Sequence, residues 1–201
     1  ARFQRIQRTN LWGAETSVSG LGSEIVATAA VTMALPGILR RLGVRSVLDA
    51  PCGDAGWILS CMNDFEYTDV DIVPSLIAAN AARAKSGEIG GQFLTADITV
   101  GPLPSADLVL CRDCLVHLCF DNIEKAIATF RTTGALWLLT TTFPEWQRNE
   151  DCEDGDWRAL NLQRAPFDWP APVELINEQC DEGNGGWRDK SLGLWRLADI
   201  S

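Results

Sequence analysis

The chain has 201 residues, of which 46% are hydrophobic, so it is long enough for one domain with a full core and short for two. Its 17 basic and 27 acidic residues give a formal net charge of −10. This excess of acid argues against a nucleic-acid backbone or an anionic membrane surface as the main partner.

The seven cysteines are an odd number without the spacing of a disulfide framework. In a chain with a sizeable core they indicate reduced thiols and a cytoplasmic protein. The opening residues, ARFQRIQRTN, lack the apolar run of a signal peptide. We expect no window to approach the length of a membrane span.

The N-terminal part (1–45) is predicted to be helical with an irregular insertion. Arg2, Arg5 and Arg8 recur every three residues and indicate a short surface helix. The small residues of 12–23 indicate either a surface loop or a lid over a bound ligand, in which Trp12 would contact the substrate.

A second helix is predicted to follow this insertion, with Ser23 as its N-cap. Pro36 is expected to break that helix or to begin another, which Gly43 terminates. The helical spacing is carried by Ile25, Val26, Ala29, Ala30 and Met33.

From residue 46 onward, strand-like and helical patterns alternate, which predicts an α/β fold with a mostly parallel sheet and helices on both faces. Asp121 and Glu124 are placed for a capping box at the start of one helix. The predicted strands are 46–50, 65–72, 92–98, 106–111 and 135–143, and the predicted helices are 57–62, 74–84 and 121–130.

The alternation stops after residue 143. The segment 144–172 contains prolines, an acidic cluster and three tryptophans, and an irregular stretch of this length is usually functional when ordered. The runs 173–180 and 191–200 then indicate a terminal antiparallel hairpin. We therefore predict one domain over 1–201, with a core at 46–143, an irregular segment at 144–172 and a hairpin at 173–201.

The stretch SVLDAPCGDAGW (46–57) organises this prediction. A short strand that stops at Asp49 and turns through Gly53 and Gly56 brings bare backbone close to a ligand. The N–H groups of a following helix would face that ligand at the carboxyl edge of the sheet. An ordinary strand-to-helix turn is the alternative.

Five parallel-type strands with acids at their ends, followed by a hairpin, resemble the class I S-adenosylmethionine (SAM)-dependent methyltransferases over residues 46–200. LDAPCGDAG (48–56) is similar to that family's LDxGCGxG motif at Leu48, Asp49, Cys52 and Gly53. It departs from the motif at Pro51 and Ala55, and proline removes one N–H that could face the cofactor. The resemblance implies a Rossmann-like methyltransferase fold and SAM as cofactor.

Two acids at strand ends fit this resemblance. Asp71 lies 22 residues after Asp49 and could accept both hydroxyls of a ribose, although a solvated strand-end acid is the alternative. Asp97 would lie near the adenine amino group, or form a plain turn. The implied cofactor-binding residues are Asp49, Ala50, Cys52, Gly53, Trp57, Asp71, Ile72, Ala96, Asp97, Ile98, Cys111 and Arg112.

The segment CRDCLVHLC (111–119) invites a zinc interpretation. We reject it because Cys111 would end a buried strand and no second Cys-x-x-Cys pair completes a site, so no metal is expected. The segment also resembles the family's motif after strand four, whose backbone would lie beside the methionine part of SAM.

Two residues of this segment are candidate catalytic groups. His117, the only histidine, is either a satisfied core residue or a general base, and Asp113 could take the base role or bind the acceptor. Trp146 and Trp157 are core residues by default, but they could stack on an acceptor ring.

The resemblance implies an enzyme that moves a methyl group to an oxygen or nitrogen of a small-molecule or sugar-containing acceptor, with S-adenosylhomocysteine (SAH) as product. A non-catalytic SAM-binding module is the alternative. A nicotinamide-dependent oxidoreductase is disfavoured because GxGxxG is absent and Tyr67, the only tyrosine, has no lysine four residues on.

Overall fold

The computed structural model describes residues 2–11, 17 and 19–200. Seven strands form one sheet in the order β3-β2-β1-β4-β5-β7-β6. The first five in this order run parallel, and β7 pairs antiparallel with both β5 and β6. The strands are β1 (Ser46–Asp49), β2 (Glu66–Asp71), β3 (Gln92–Thr95), β4 (Leu108–Cys111), β5 (Trp137–Thr142), β6 (Glu174–Asn177) and β7 (Ser191–Arg196).

The helices cover both faces of this sheet, and the predicted α/β fold with a terminal antiparallel hairpin is confirmed. In the shortest helix, Gly183 and Asn184 have left-handed backbone angles, so that element is a turn. The helices are α1 (Arg2–Thr9), α2 (Ile25–Leu42), α3 (Pro74–Lys85), α4 (Phe120–Thr132) and α5 (Glu182–Gly185), with 3-10 turns at Leu21–Ser23, Ile58–Cys61, Leu115–His117 and Leu197–Asp199.

The strand order creates a crevice at the centre of the sheet. The chain proceeds from β1 through β2 to β3 on one side and then continues with β4 on the other side of β1. The segments that leave the carboxyl ends of β1 and β4 therefore diverge. Ligands of open α/β sheets bind at such a switch point.

Each face of the sheet has its own core, as period-two alternation requires. In β1, Leu48 belongs to the core that α4 covers through Ile123 and Phe130. Its neighbour Val47 belongs to the opposite core, which α2 covers through residues such as Leu35. The sheet thus lies between two apolar layers.

Helix α2 differs from its prediction at two points. Pro36 lies inside one uninterrupted helix, and the N-cap position is held by Glu24 rather than Ser23. Burial of Leu35 and Leu39 on one face stabilises the continuous helix despite the proline. The predicted end is confirmed, because Gly43 adopts a left-handed conformation with φ 69°.

The expectation that no segment would match a membrane span in length is wrong for α2. This helix has 18 residues and a mean hydropathy of 1.4, which satisfies a test of length and composition. A core helix passes the same test, and α2 packs on the sheet through Val31, Leu35 and Leu39, while Val26 and Met33 are exposed.

Two further elements differ from the sequence prediction. The segment after β1 forms a 3-10 turn at Ile58–Cys61 rather than an α-helix, and β3 ends at Thr95. Asp97 turns the chain there, because its Oδ1 accepts hydrogen bonds from the N–H and the hydroxyl of Thr99, at 2.8 and 2.7 Å.

The predicted capping box of α4 is also absent. The helix begins at Phe120, and no side chain of its own first turn caps it. Instead, the N–H of Cys119 donates to Asp154 at 2.9 Å, and the N–H of Phe120 donates to Asp151 at 2.8 Å. The acidic cluster of the irregular segment therefore caps α4.

Candidate functional site

A cavity of about 230 Å³ opens at the carboxyl ends of β1, β2 and β4; we call it the strand-end cavity. Most of the predicted site residues line it. These are Asp49, Cys52, Gly53, Trp57, Asp71, Ile72, Ala96, Asp97, Ile98, Arg112, Asp113 and His117.

Two predicted cofactor residues do not line the cavity. The side chains of Ala50 and Cys111 are fully buried in the core beneath α4. Ala50 lies two residues after Leu48, so its side chain is on the same face of the sheet and points away from the crevice. Its N–H donates to the carbonyl of Leu110 at 2.8 Å. Trp12 lies outside the described residues.

At Gly53, the loop after β1 packs tightly against Ser19. Gly53 has φ 59°, and a Cβ there would lie 2.3 Å from Oγ of Ser19. The Ser19 hydroxyl also accepts a hydrogen bond from the N–H of Asp54 at 2.9 Å. The described part of the predicted lid therefore lies against the glycine loop, and only glycine fits at position 53.

Helix α3 holds the other side of this loop. The side-chain amide of Asn80 donates to the carbonyl of Gly53 at 3.1 Å, and Arg83 donates to the carbonyl of Asp54 at 3.2 Å. The sequence analysis missed both residues. Their only sequence signal is a pair of polar positions three residues apart in an alanine-rich helix.

Asp71 ends β2 with its carboxylate in the cavity. Its Oδ2 accepts a hydrogen bond from the N–H of Gly53 at 3.1 Å, and its Oδ1 accepts one from the N–H of Val73 at 2.8 Å. Burial raises the pKa of Asp71, and the two backbone bonds oppose that rise. Each carboxylate oxygen has a further lone pair, so both can still accept from a ligand hydroxyl.

Two more carboxyl groups lie side by side on β1 and β2. Asp49 accepts a hydrogen bond from the Tyr67 hydroxyl at 2.6 Å, and Asp69 is its register partner. Asp69 is 0% exposed, and within the described residues neither of its oxygens has a hydrogen-bond partner. Burial raises the pKa of both groups, so these two carboxyl groups bind protons more readily than exposed carboxyl groups do.

Four charged side chains form a buried network beside the cavity; we call it the ion-pair network. Arg112 donates to both oxygens of Glu178 at 3.1 and 2.6 Å, and lies 3.3 Å from Asp113. Lys190 donates to Asp113 at 2.7 Å and lies 3.4 Å from Glu178. The sequence analysis missed Glu178 and Lys190, which the hairpin brings to the crevice from the far end of the chain.

The network determines what Asp113 can do. Burial alone would raise the pKa of Asp113, but the charges of Lys190 and Arg112 outweigh burial and hold that pKa well below its ordinary range. A carboxylate with so low a pKa is a poor proton acceptor near neutral pH. The geometry therefore favours a positioning role for Asp113 over the base role.

His117, unlike Asp113, carries no charge near neutral pH. Its Nδ1 lies 2.7 Å from the carbonyl oxygen of Asp156, which can only accept a hydrogen bond, so Nδ1 carries the proton. Burial lowers the pKa of His117, and the bond to Asp156 opposes that change. The imidazole is therefore neutral near pH 7, with its lone pair on Nε2.

A second cavity of about 330 Å³ adjoins the first; we call it the tryptophan cavity. The two cavities share Ser19, Asp113 and His117 in their walls. Trp157, a candidate substrate-binding residue, lines the tryptophan cavity, together with Trp187, which the sequence analysis missed. Trp146 is not in that wall and packs against Trp187 with ring centroids 5.8 Å apart.

All seven cysteines are free thiols. Among the residues that the structure describes, no group of three or more His, Cys, Asp or Glu side chains could hold a metal ion.

A mostly parallel α/β sheet with its cavity at the switch point defines the class of nucleotide-binding α/β folds. Residues 47–133 match a family described as "Methyltransferase domain". The predicted resemblance to class I methyltransferases is confirmed. The predictions of SAM as cofactor and of a methyltransferase enzyme agree with this family. No curated protein matches the chain significantly.

Solved structures match the fold at low sequence identity. The methyltransferase SibL in its apo form is 16% identical with a TM-score of 0.57, over 84% of this chain and 55% of its own. TehB from Haemophilus influenzae is 17% identical with a TM-score of 0.56, over 82% of this chain and 61% of its own. The N-methyltransferase NodS from Bradyrhizobium japonicum WM9, crystallised with SAH, is 18% identical with a TM-score of 0.56. The match covers 71% of this chain and 73% of NodS.

In three other matched structures, the aligned region covers 66%, 56% and 49% of the matched protein. The chain thus spans about half to two thirds of the length of those proteins.

Proposed function

We propose that the chain is a SAM-dependent methyltransferase that transfers a methyl group to an oxygen or nitrogen of a small-molecule or sugar-containing acceptor. The observation that carries this proposal is Asp71, a buried carboxylate at the end of β2 that is fixed by the glycine loop inside the strand-end cavity. A carboxylate at this position suits the two hydroxyls of a ribose.

The remaining wall of the cavity suits the other parts of SAM. Ala96 and Ile98 would provide apolar contact for the adenine ring. Asp97 lies in the same wall, where its carboxylate suits the adenine amino group. Asp49 and Arg112 line the cavity at the ends of β1 and β4, where a carboxyl group and a guanidinium group suit the amine and the carboxylate of the methionine part. Bound SAM would supply a methyl group on a positively charged sulfur.

Transfer requires an acceptor atom in line with that methyl group and exclusion of water. The wall shared by the two cavities, with Asp113 and His117, supports placing the transfer there. His117 is the candidate base for the proton of a hydroxyl acceptor. Asp113 would position the neighbouring groups.

The acceptor would occupy the tryptophan cavity, where Trp157 offers an aromatic surface, while Trp146 supports that wall through Trp187. The net charge of −10 supports a small molecule over a nucleic acid. The seven free thiols support a cytoplasmic location.

Thermal unfolding with added cofactors tests this proposal. At a ligand concentration of about 100 Kd, binding to the native state adds about 2.7 kcal/mol and raises the melting temperature by several degrees. We expect this rise with SAM and SAH and not with NAD or NADP. A rise with NAD or NADP alone would favour the oxidoreductase alternative.

A further inference from the structure

We propose that the methyl acceptor carries a positively charged ammonium group, and that this group binds in the tryptophan cavity beside Trp157, Trp187 and the carboxylate of Glu182. This inference rests on the proposed function, since it names the class of the second substrate of the same reaction. Three features of the cavity carry it: a carboxylate that no cation balances, an ion-pair network whose charges cancel, and an aromatic wall.

The charged groups of the cavity wall come first. Among the described residues, three side chains of this wall carry a charge near neutral pH: Asp113, Glu182 and Lys190. The other titratable side chains of the wall are uncharged, because burial lowers the pKa of His117 and raises the pKa of the Cys180 thiol. The wall therefore holds two negative groups and one positive group.

The positive group is already balanced within the ion-pair network. Lys190 donates to Asp113 at 2.7 Å and lies 3.4 Å from Glu178. Arg112 pairs with the same two carboxylates, at 3.3 Å and 2.6 Å. Two cations and two carboxylates at these distances largely cancel each other's field, so the network adds little net charge to the cavity.

Glu182 adds a negative charge to this neutral network. Its side chain is partly buried, and within the described residues no cation pairs with its carboxylate. The cavity as a whole therefore carries one excess negative charge. An anionic acceptor would be repelled by Glu182, whereas a cation would supply the partner that this carboxylate lacks.

The turn α5 holds this carboxylate beside an aromatic ring. Gly183 follows Glu182 with a left-handed backbone, and a Cβ there would lie 2.6 Å from Nε1 of Trp187. The turn thus packs directly on the indole of Trp187, and both Glu182 and Trp187 line the cavity.

The aromatic wall is formed by Phe143, Trp157 and Trp187. The ring centroids of Trp157 and Trp187 are 4.7 Å apart at 68°, and Phe143 lies 6.0 Å from Trp157 and 5.8 Å from Trp187. Phe143 is only 1% exposed, whereas Trp157 is 44% exposed and so offers its surface to a ligand. Tryptophan attracts cations more strongly than the other aromatic side chains do.

The two features together favour an ammonium group over an uncharged acceptor. An uncharged acceptor would cover the tryptophans, but it would displace water from Glu182 without supplying a partner, which costs free energy. An ammonium group pairs with the carboxylate and also packs against the rings.

Ligand-observed NMR titrations of the SAH-saturated protein test the assignment with two probes of the same shape. These are acetylcholine and 3,3-dimethylbutyl acetate, in which a carbon atom replaces the charged nitrogen. We expect acetylcholine to bind at least about fivefold more tightly than its uncharged analogue.

Two variants locate the binding. Glu182→Gln should weaken acetylcholine binding by about threefold or more and leave the analogue unaffected. Glu124→Gln is the matched control, because it removes the same charge from an exposed position on α4 that lines neither cavity. It should leave the binding of both probes unchanged.

Equal binding of the two probes, or tighter binding of the uncharged analogue, would overturn the assignment. So would acetylcholine binding that Glu182→Gln and Glu124→Gln affect equally. If SAH binds and acetylcholine does not, the acceptor class is wrong and the proposed function stands. If SAH does not bind the parent protein, both fail.

Discussion

The ammonium group of Lys190 lies 2.7 Å from Oδ2 of Asp113, although the two residues are 77 positions apart in the chain. This contact joins the start of the last strand to the segment after β4. Asp113 adopts a left-handed backbone conformation with φ 49°, which is uncommon for a residue other than glycine. Such local strain persists where the surrounding structure holds it, and Lys190 is part of that structure.

The first prediction concerns this ion pair. Lys190→Met should lower the free energy of unfolding by about 3–5 kcal/mol, because among the described residues it leaves Arg112 as the one cation paired with two buried carboxylates. Urea denaturation near neutral pH measures this loss. Arg188→Met, an exposed control on the same hairpin, should change stability by no more than about 0.5 kcal/mol. Equal stability of the two variants would contradict the role of Lys190.

The second prediction concerns pH and His117. Because burial lowers the pKa of His117 in the folded protein, the unfolded chain binds the proton more readily. The stability from this residue is complete above about pH 6.5 and is lost as the pH falls.

His117→Gln keeps a donor for the Asp156 carbonyl and removes the titration. Relative to the parent, this variant should therefore gain stability as the pH falls from about 7.5 to about 5. Denaturant titrations at each pH measure the difference. A difference that stays constant over the range would show that His117 does not titrate as the structure requires.

The sequence predicted the parts of the site that local patterns specify. Asp71 and Asp97 follow apolar strands, and Gly53 belongs to a motif with a steric reason for glycine. Glu178 and Lys190 carry no local signal, since only the pairing of β7 with β5 brings them to β4. Ala50 is a different case: it directly follows β1, and its side chain continues the alternation of the strand and lies in the core.

The third prediction concerns Asp69, whose buried oxygens have no hydrogen-bond partner within the described residues. Burial raises its pKa to about 9, so the folded protein holds a proton that the unfolded chain releases above about pH 4. Folding stability should therefore fall as the pH rises, with a slope from this group of up to about 1.4 kcal/mol per pH unit.

Asp69→Asn removes this titration, so its stability relative to the parent should rise between about pH 5 and about pH 9. Melting temperatures across that range provide the measurement. Asp64→Asn, at an exposed carboxylate, is the control and should show no such trend. A flat difference for Asp69→Asn would mean that Asp69 is ionised in the folded protein.

The fourth prediction separates backbone strain from steric contact in the glycine loop. Gly53 and Gly43 both have left-handed angles, but a Cβ at Gly43 meets nothing within 4 Å, whereas one at Gly53 meets Ser19. Gly43→Ala should cost about 1 kcal/mol in stability, and Gly53→Ala should cost clearly more.

The added change Ser19→Gly should bring Gly53→Ala back towards the cost of Gly43→Ala. Chemical denaturation of the three variants tests this. If Gly53→Ala and Gly43→Ala lower the free energy of unfolding equally, the segment that carries Ser19 makes no close contact with the glycine loop.

The central claim is that the strand-end cavity binds SAM through Asp71, and calorimetric titration with SAH tests it most directly. Asp71→Ala should weaken SAH binding by about 1.5–3 kcal/mol, the scale of hydrogen bonds to a charged group, and Asp71→Asn covers the case in which the alanine variant folds poorly. Asp64→Ala, a carboxylate remote from the cavity, should bind SAH as the parent does. Unchanged SAH affinity in folded Asp71 variants, or no SAH binding by the parent protein, would contradict the account.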